Sequence, residues 1–261
     1  MALDDLLLLM LAGFAAGGMN ALAGGGTFFS FPALLAAGLP PVTANATNAV
    51  ALWPASLAAA WAARTSLRPL GRYLLPLLAA GLCGGLLGGL LLLAGGDETF
   101  RQLIPWLLLS ATALFAASPW LRRWLATHRR IEPDARDDAP AHGPLSLGAH
   151  IGVSIYGGYF GAGMGILQLA AFSIEGHPLA RANALKNLIS AVIYSIATLT
   201  FVIAGRVSWY ELAILLVGAT LGGYAGGALG QRLPPTLLRS LVIAVGSGMT
   251  AYYFWSTYFS A

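Results

Sequence analysis

Displaced by 138 positions, the two halves of the chain fall on each other without a gap. Gly38-Leu39-Pro40 meets Gly176-His177-Pro178, Ala44-Asn45-Ala46 meets Ala182-Asn183-Ala184, and Arg68 and Arg101 meet Arg206 and Arg239. The glycine ladder Gly84, Gly85, Gly88, Gly89 meets Gly222, Gly223, Gly226, Gly227. Whatever this chain folds into is therefore expected to contain one unit twice. In a very apolar chain, duplication points first at a transporter.

Soluble domains carry about 25% charged residues; this chain carries 9%, against 57% apolar residues. The runs 74–94, 106–121 and 188–204 approach or exceed the about 18 to 20 apolar residues that cross a bilayer. The fold class expected is an all-α integral membrane protein, because the alternation of a membrane β-barrel is absent. Asp4 and Asp5 stand where a cleavable signal would carry basic residues, so the stretch from Leu6 onward reads as a retained segment. Cys83 is the single cysteine, which excludes an internal disulfide and a cysteine metal cluster, and it reads as a small packing residue. The net charge of +4 comes with arginines placed mainly in short connections. That is topology information and no sign of a nucleic-acid partner.

The pattern predicts an apolar stretch at 6–21, a break at Gly24-Gly25-Gly26, a short helix to about Ala37, and helices at 43–63, 70–94 and 100–121. The second half repeats this at 147–160, a break at 161–165, a short helix to Ile174, and helices at 182–204, 209–231 and 236–258. Three units follow: a membrane repeat at 1–121, a mobile cytoplasmic linker at 122–145 and a second membrane repeat at 146–261. The arginines at 64, 68, 72, 122, 123, 129 and 130 assign the cytoplasmic side. Each repeat then holds four to five membrane segments. If the broken first segment crosses once, the repeats are parallel; if it folds back, they are inverted. The piece 27–37 is only about 16 Å long at helical rise, too short to span, which favours a re-entrant first segment and an inverted repeat. The glycine ladders read as small faces for close helix packing.

A glycine-broken helix at membrane depth has to line a cavity or lie within protein. It also opens a new helix N-terminus whose N–H groups and dipole attract an anion. Such breaks occur in corresponding places, at Gly24, Gly25, Gly26 and Thr27 and again at Gly161, Gly163 and Gly165, as expected of a transporter's central site. Polar residues gather nearby: Asn45, Thr47 and Asn48 in one half, Asn183, Lys186 and Asn187 in the other, with Asn20 and Gln168 flanking the breaks. Lys186 is the only lysine and matches Asn48 across the repeat. An ionisable group inside an apolar helix is a functional candidate by default, against the plainer reading that it snorkels to the interface. All ten acids fall at predicted ends or loops, which suits an anion carrier better than a cation or metal carrier. The four histidines show no ligand spacing and no nucleophile with an acid–base pair is apparent, so neither a metal site, nor a cofactor, nor an enzyme is expected.

The stretch Asn20-Ala-Leu-Ala-Gly-Gly-Gly-Thr27 with Phe31-Pro32, Gly38-Leu-Pro40 and Ala44-Asn-Ala-Thr47 resembles the opening of the TauE/SafE family of sulfite exporters. Gly157-Gly-Tyr-Phe-Gly-Ala-Gly-Met-Gly165, Ala182-Asn-Ala-Leu-Lys-Asn187 and Gly205-Arg-Val-Ser-Trp209 are similar to its second signature. The resemblance implies a multi-pass carrier of the bacterial inner membrane that moves sulfite or small organosulfonates, most naturally outward. It also implies anion binding at the Asn-Ala-Leu-Lys-Asn run. The partners expected are a small sulfur oxyanion and the lipid bilayer, with a homodimer as the assembly to consider; a permease for another small inorganic or organic acid anion is the alternative.

Overall fold

The computed structural model describes residues 3–22, 25–62, 64–128, 143–229 and 235–259. No strand occurs among them. The elements are α1 (Leu3–Leu22), α2 (Thr27–Ala36), α3 (Pro41–Ala62), a single turn α4 (Arg64–Leu67), a 3-10 segment (Arg68–Tyr73), α5 (Leu74–His128), α6 (Pro144–Tyr159), α7 (Met164–Ile174), α8 (Leu179–Ile203), α9 (Trp209–Leu229) and α10 (Pro235–Tyr258).

Local chemistry sets these boundaries. Gly96 adopts φ 69°, a conformation open to glycine, and bends α5 into arms 74–95 and 97–128. Directly after the bend, the Asp97 carboxylate accepts from the Val42 N–H at 2.8 Å. An acid thereby caps the N-terminus of α3, where the helix dipole favours negative charge. The second arm of α5 runs on to His128, past the expected end at Leu121, because no proline or glycine interrupts 122–128. The rest of the linker, 129–142, lies outside the described residues. The expected helix start at Leu70 is replaced by the 3-10 segment, whose Gly71 has φ 37°.

The molecule is apolar outside, and its apolar core encloses a set of polar groups. Leu7, Leu11, Leu82, Leu86, Leu90, Leu199, Val217 and Leu221 are exposed, whereas Thr27, Ser30, Asn45, Thr47, Asn48, Ser154 and Gln168 are buried. Lipid, not water, suits such an exterior. Among the described residues, three helices are long and apolar enough to cross a membrane, over Leu3–Asn20, Leu74–Leu121 and Ala180–Ile203. Exposed rings of Trp61 and Trp120 lie near one set of helix ends and those of Trp209, Tyr210, Trp255 and Tyr258 near another, matching the interfacial aromatic belts of membrane proteins.

Glycine makes the tightest seams. A Cβ on Gly17 or Gly222 would overlap the Ala219 or Phe14 carbonyl, so α1 and α9 run side by side in the same direction. Likewise a Cβ on Gly88 would overlap the Ile155 carbonyl and one on Gly158 the Gly85 carbonyl, pressing α6 along the first arm of α5. Gly81 and Gly85 meet Ile189, Val192, Ile193 and Ile196, laying α8 parallel to that arm. Small residues permit such backbone approach in lipid, where packing replaces the hydrophobic effect. Two other pairs are antiparallel. Trp53 Nε1 donates to Ser195 Oγ at 2.8 Å and the Ser208 N–H to Thr47 Oγ1 at 3.0 Å, joining α3 to α8 and its C-terminal turn. Trp106 Nε1 donates to the Tyr258 hydroxyl at 3.1 Å and Arg239 Nε to the Phe115 carbonyl at 3.1 Å, joining α10 to the second arm of α5.

Candidate functional site

Both glycine breaks lean on one stretch of α5. Gly25 has φ 126° and a Cβ there would stand 2.8 Å from Phe115 Cζ; Gly163 has φ 77° and its Cβ position lies 3.6 Å from Ala111. Positions 111 and 115 are one helical turn apart on the same face, so the breaks converge. Tyr194 of α8 joins them from another side. Its hydroxyl lies 3.0 Å from a Cβ position on Gly161.

Polar side chains line each break. In the first half Ser30 Oγ donates to Asn48 Oδ1 at 2.5 Å, and Asn48 Nδ2 to Thr27 Oγ1 at 3.4 Å. Asn45 Nδ2 donates to the Tyr159 carbonyl at the end of α6, 2.9 Å away. In the second half Ser190 Oγ donates to Gln168 Oε1 at 2.8 Å, and the aliphatic chain of Lys186 lies against Gly165, 3.5 Å from a Cβ position there. Neither α2 nor α7 receives a side-chain cap at its N-terminus. Asn45 Oδ1, Gln168 Nε2 and Thr198 Oγ1 are buried with no hydrogen-bond partner. Buried polar atoms are nearly always satisfied, so each marks a place for a ligand atom or water.

The residues singled out in the sequence thus divide. Gly25, Gly26, Thr27, Asn45, Asn48, Gly161, Gly163, Gly165, Gln168 and Lys186 border the breaks; Gly24 lies outside the described residues. Thr47 is committed to the Ser208 backbone. Asn20 and Asn187 are partly buried, and Asn183 is exposed on the first turns of α8, away from any closed cradle. Asn48 and Lys186, which match across the repeat, stand apart in the fold. With α3 antiparallel to α8 and Trp53 level with Ser195, the two lie on opposite sides of the crossing point, about 20 Å apart along the axis at helical rise. Antiparallel packing sends equivalent residues toward opposite ends unless they sit at the crossing. Tyr194 does sit there, and sequence reading passed over it. A signal existed, since Asn183, Lys186, Asn187, Ser190 and Tyr194 form one stripe of α8 at helical spacing. Ser30 carried no comparable signal.

An all-helical bundle with a lipid-facing exterior and polar groups gathered at broken helices within it defines a membrane transporter. The sulfite exporter TauE/SafE family profile matches residues 9–253, and the chain belongs to that family of membrane transporters. Among curated relatives, the probable membrane transporter protein YfcA of Escherichia coli K12 is 30% identical over 244 residues, covering 93% of this chain and 85% of that protein. A probable membrane transporter protein of Haemophilus influenzae is 26% identical over 250 residues, covering 95% and 94% of the two chains. Probable membrane transporter protein ORF9 of a Sinorhizobium species is 26% identical over 247 residues, covering 94% and 90%. No solved structure matches significantly.

Proposed function

We propose that this protein is a multi-pass secondary transporter of the bacterial inner membrane that exports sulfite or a small organosulfonate by alternating access. The observation that carries the reading is the convergence of two uncapped helix starts, α2 and α7, beside buried polar atoms lacking partners. The dipole at each start favours an oxyanion, and the Gln168 amide adds a donor. Lys186 stands on the arginine-rich side, where it draws the anion in; Thr27, Tyr194, Gly161 and Gly163 hold it at the crossing; Ser30, Asn48 and Asn45 receive it beyond.

The same proposal takes residues 1–121 and 146–261 as inverted repeats of five segments with re-entrant first hairpins. Several features support it. α2 and α7 open in register, and positive φ occurs at both Gly25 and Gly163 and at both Gly38 and Gly176. Both α6 and α8 run parallel to the first arm of α5, so the chain between them has to return to its starting side. The equivalent helices α3 and α8 are antiparallel, as inversion requires. Rocking of the two halves about the crossing then alternates access.

The test is sulfite flux in proteoliposomes, run beside a panel of sulfonates, phosphate and carboxylates. Lys186→Ala is expected to raise the apparent KM for sulfite about 10- to 100-fold, the worth of a hydrogen bond to a charged group, while Lys186→Arg retains most affinity. Unaltered kinetics in Lys186→Ala remove its role. Saturable flux of a carboxylate with none of sulfite replaces the substrate.

A further inference from the structure

A second polar cluster lies apart from the breaks, at the mouth on the arginine-rich side. Glu175, at the end of α7, is at its centre. His150 Nε2 of α6 donates to Glu175 Oε1 at 2.7 Å, and Ser146 Oγ donates to the same oxygen. His177 Nε2 stands 3.6 Å from Glu175 Oε2. The Tyr73 hydroxyl, from the 3-10 segment of the other half, is 2.5 Å from His177 Nε2 and 3.3 Å from Glu175 Oε2. Both imidazoles are closed off, with side chains 2% and 3% exposed, whereas the carboxylate at 16% keeps an edge open to the outside. The Phe172 ring packs against both histidines. Among the described residues, the charged and titratable groups facing the carboxylate are His150 from α6, His177 from the turn into α8, and Tyr73 from the 3-10 segment; Arg181 of α8 acts on Tyr73.

We propose that Glu175, His150, His177 and Tyr73 form a proton-binding site at the cytoplasmic mouth, and that its occupancy couples proton movement to anion transport. The hydrogen bonds of the cluster can run in two directions. With Nε2 of His177 bare, the Tyr73 O–H donates to it. When a proton from water forms an N–H bond there, His177 donates to the Tyr73 oxygen, and the Tyr73 O–H turns to the Glu175 carboxylate. One proton thus reverses a chain of hydrogen bonds that ties the two halves together. The carboxylate accepts from His150 and Ser146 in both states: burial raises its pKa, but these hydrogen bonds and the neighbouring His177 outweigh burial and hold it well below the usual range. The protons belong to the cluster as a unit. Tyr73 is the positioning residue that transmits the change, because it alone of the four comes from the first half. A carrier whose charged substrate meets no buried mid-membrane acid then takes its coupling ion at the gate.

The proposal rests on the transport reading, and two measurements separate them. In proteoliposomes carrying a pH dye inside, sulfite flux by the native protein is expected to depend on a pH gradient and to move protons. Glu175→Gln and Tyr73→Phe should keep downhill sulfite flux but lose the gradient-dependent part about tenfold. Retention of full gradient dependence in both overturns the proposal. Without any substrate, spin labels at Leu75→Cys and Ile174→Cys in a Cys83→Ala background report the distance across the mouth. That distance is expected to differ between about pH 5.5 and about pH 8, and to become independent of pH in Glu175→Gln and Tyr73→Phe. A pH-independent distance in the otherwise native protein overturns the site even if sulfite is transported. A pH-dependent distance without sulfite flux leaves the site standing and refutes the substrate.

Discussion

Glu175 illustrates how a residue's role departs from its sequence surroundings. It follows an apolar helix and precedes glycine, and reads as a solvated loop acid. Its partners lie 25 to 29 residues upstream at His150 and Ser146 and 102 upstream at Tyr73, so only tertiary packing reveals them. The consequence for stability has a definite sign. Because the folded carboxylate titrates below its unfolded value, its contribution is fully present above the ordinary glutamate pKa of about 4.3 and fades as pH falls through the lower folded value. Glu175→Gln is therefore expected to melt lower than the native protein at pH 7 in detergent, by about 1–3 kcal/mol for lost charge-assisted hydrogen bonds. The gap should close in acid, and melting curves across pH check this. Gly25 and Gly163 are the contrary case. Their glycine runs announce backbone irregularity, and both adopt positive φ.

Among the elements, the glycine ladders decide which helices touch. Their reading as packing faces needed no structure, but their partners did: periodicity shows that Gly84 and Gly88 share a face, not that α6 covers it. The expected helices appear with ends shifted by a few residues, since hydropathy marks their middles while the Gly96 bend and the 3-10 turn depend on local backbone. The seam gives a controlled prediction within one pair. Gly88→Ala and Gly158→Ala push a methyl into a facing carbonyl, whereas Gly152→Ala, on the same α6, enters open space. The first two are expected to lower the melting point through overpacking of about 1–3 kcal/mol; Gly152→Ala should leave it unchanged or raise it, because alanine favours helix. Thermal unfolding in a single detergent compares all three.

At the scale of the whole molecule, the membrane was legible in a single sequence, from the scarcity of charge. The orientation of one half to the other was less so, since the clues were the shortness of 27–37, which favours a re-entrant first segment, and the loss of arginines in the second half. Inversion predicts that the equivalent turns after α3 and α8 face opposite sides. In intact cells, and with Cys83→Ala as background, Ala204→Cys is expected to react with a membrane-impermeant maleimide. Thr65→Cys should react only after permeabilisation. Labelling of both from one side requires parallel repeats.

The seam between α1 and α9 bears on how the protein is made. α6 emerges after the arm of α5 that receives it, so its groove is ready. α1 emerges first, yet its groove belongs to residues 209–229. At about 5–20 residues per second, α1 waits on the order of ten to forty seconds in lipid before its partner exists. During that interval its bare glycine face at Gly13 and Gly17 is open to any small-faced helix nearby. The closing of α1 has to wait until α9 is made, and a chain stopped before α9 leaves the glycine face of α1 uncovered.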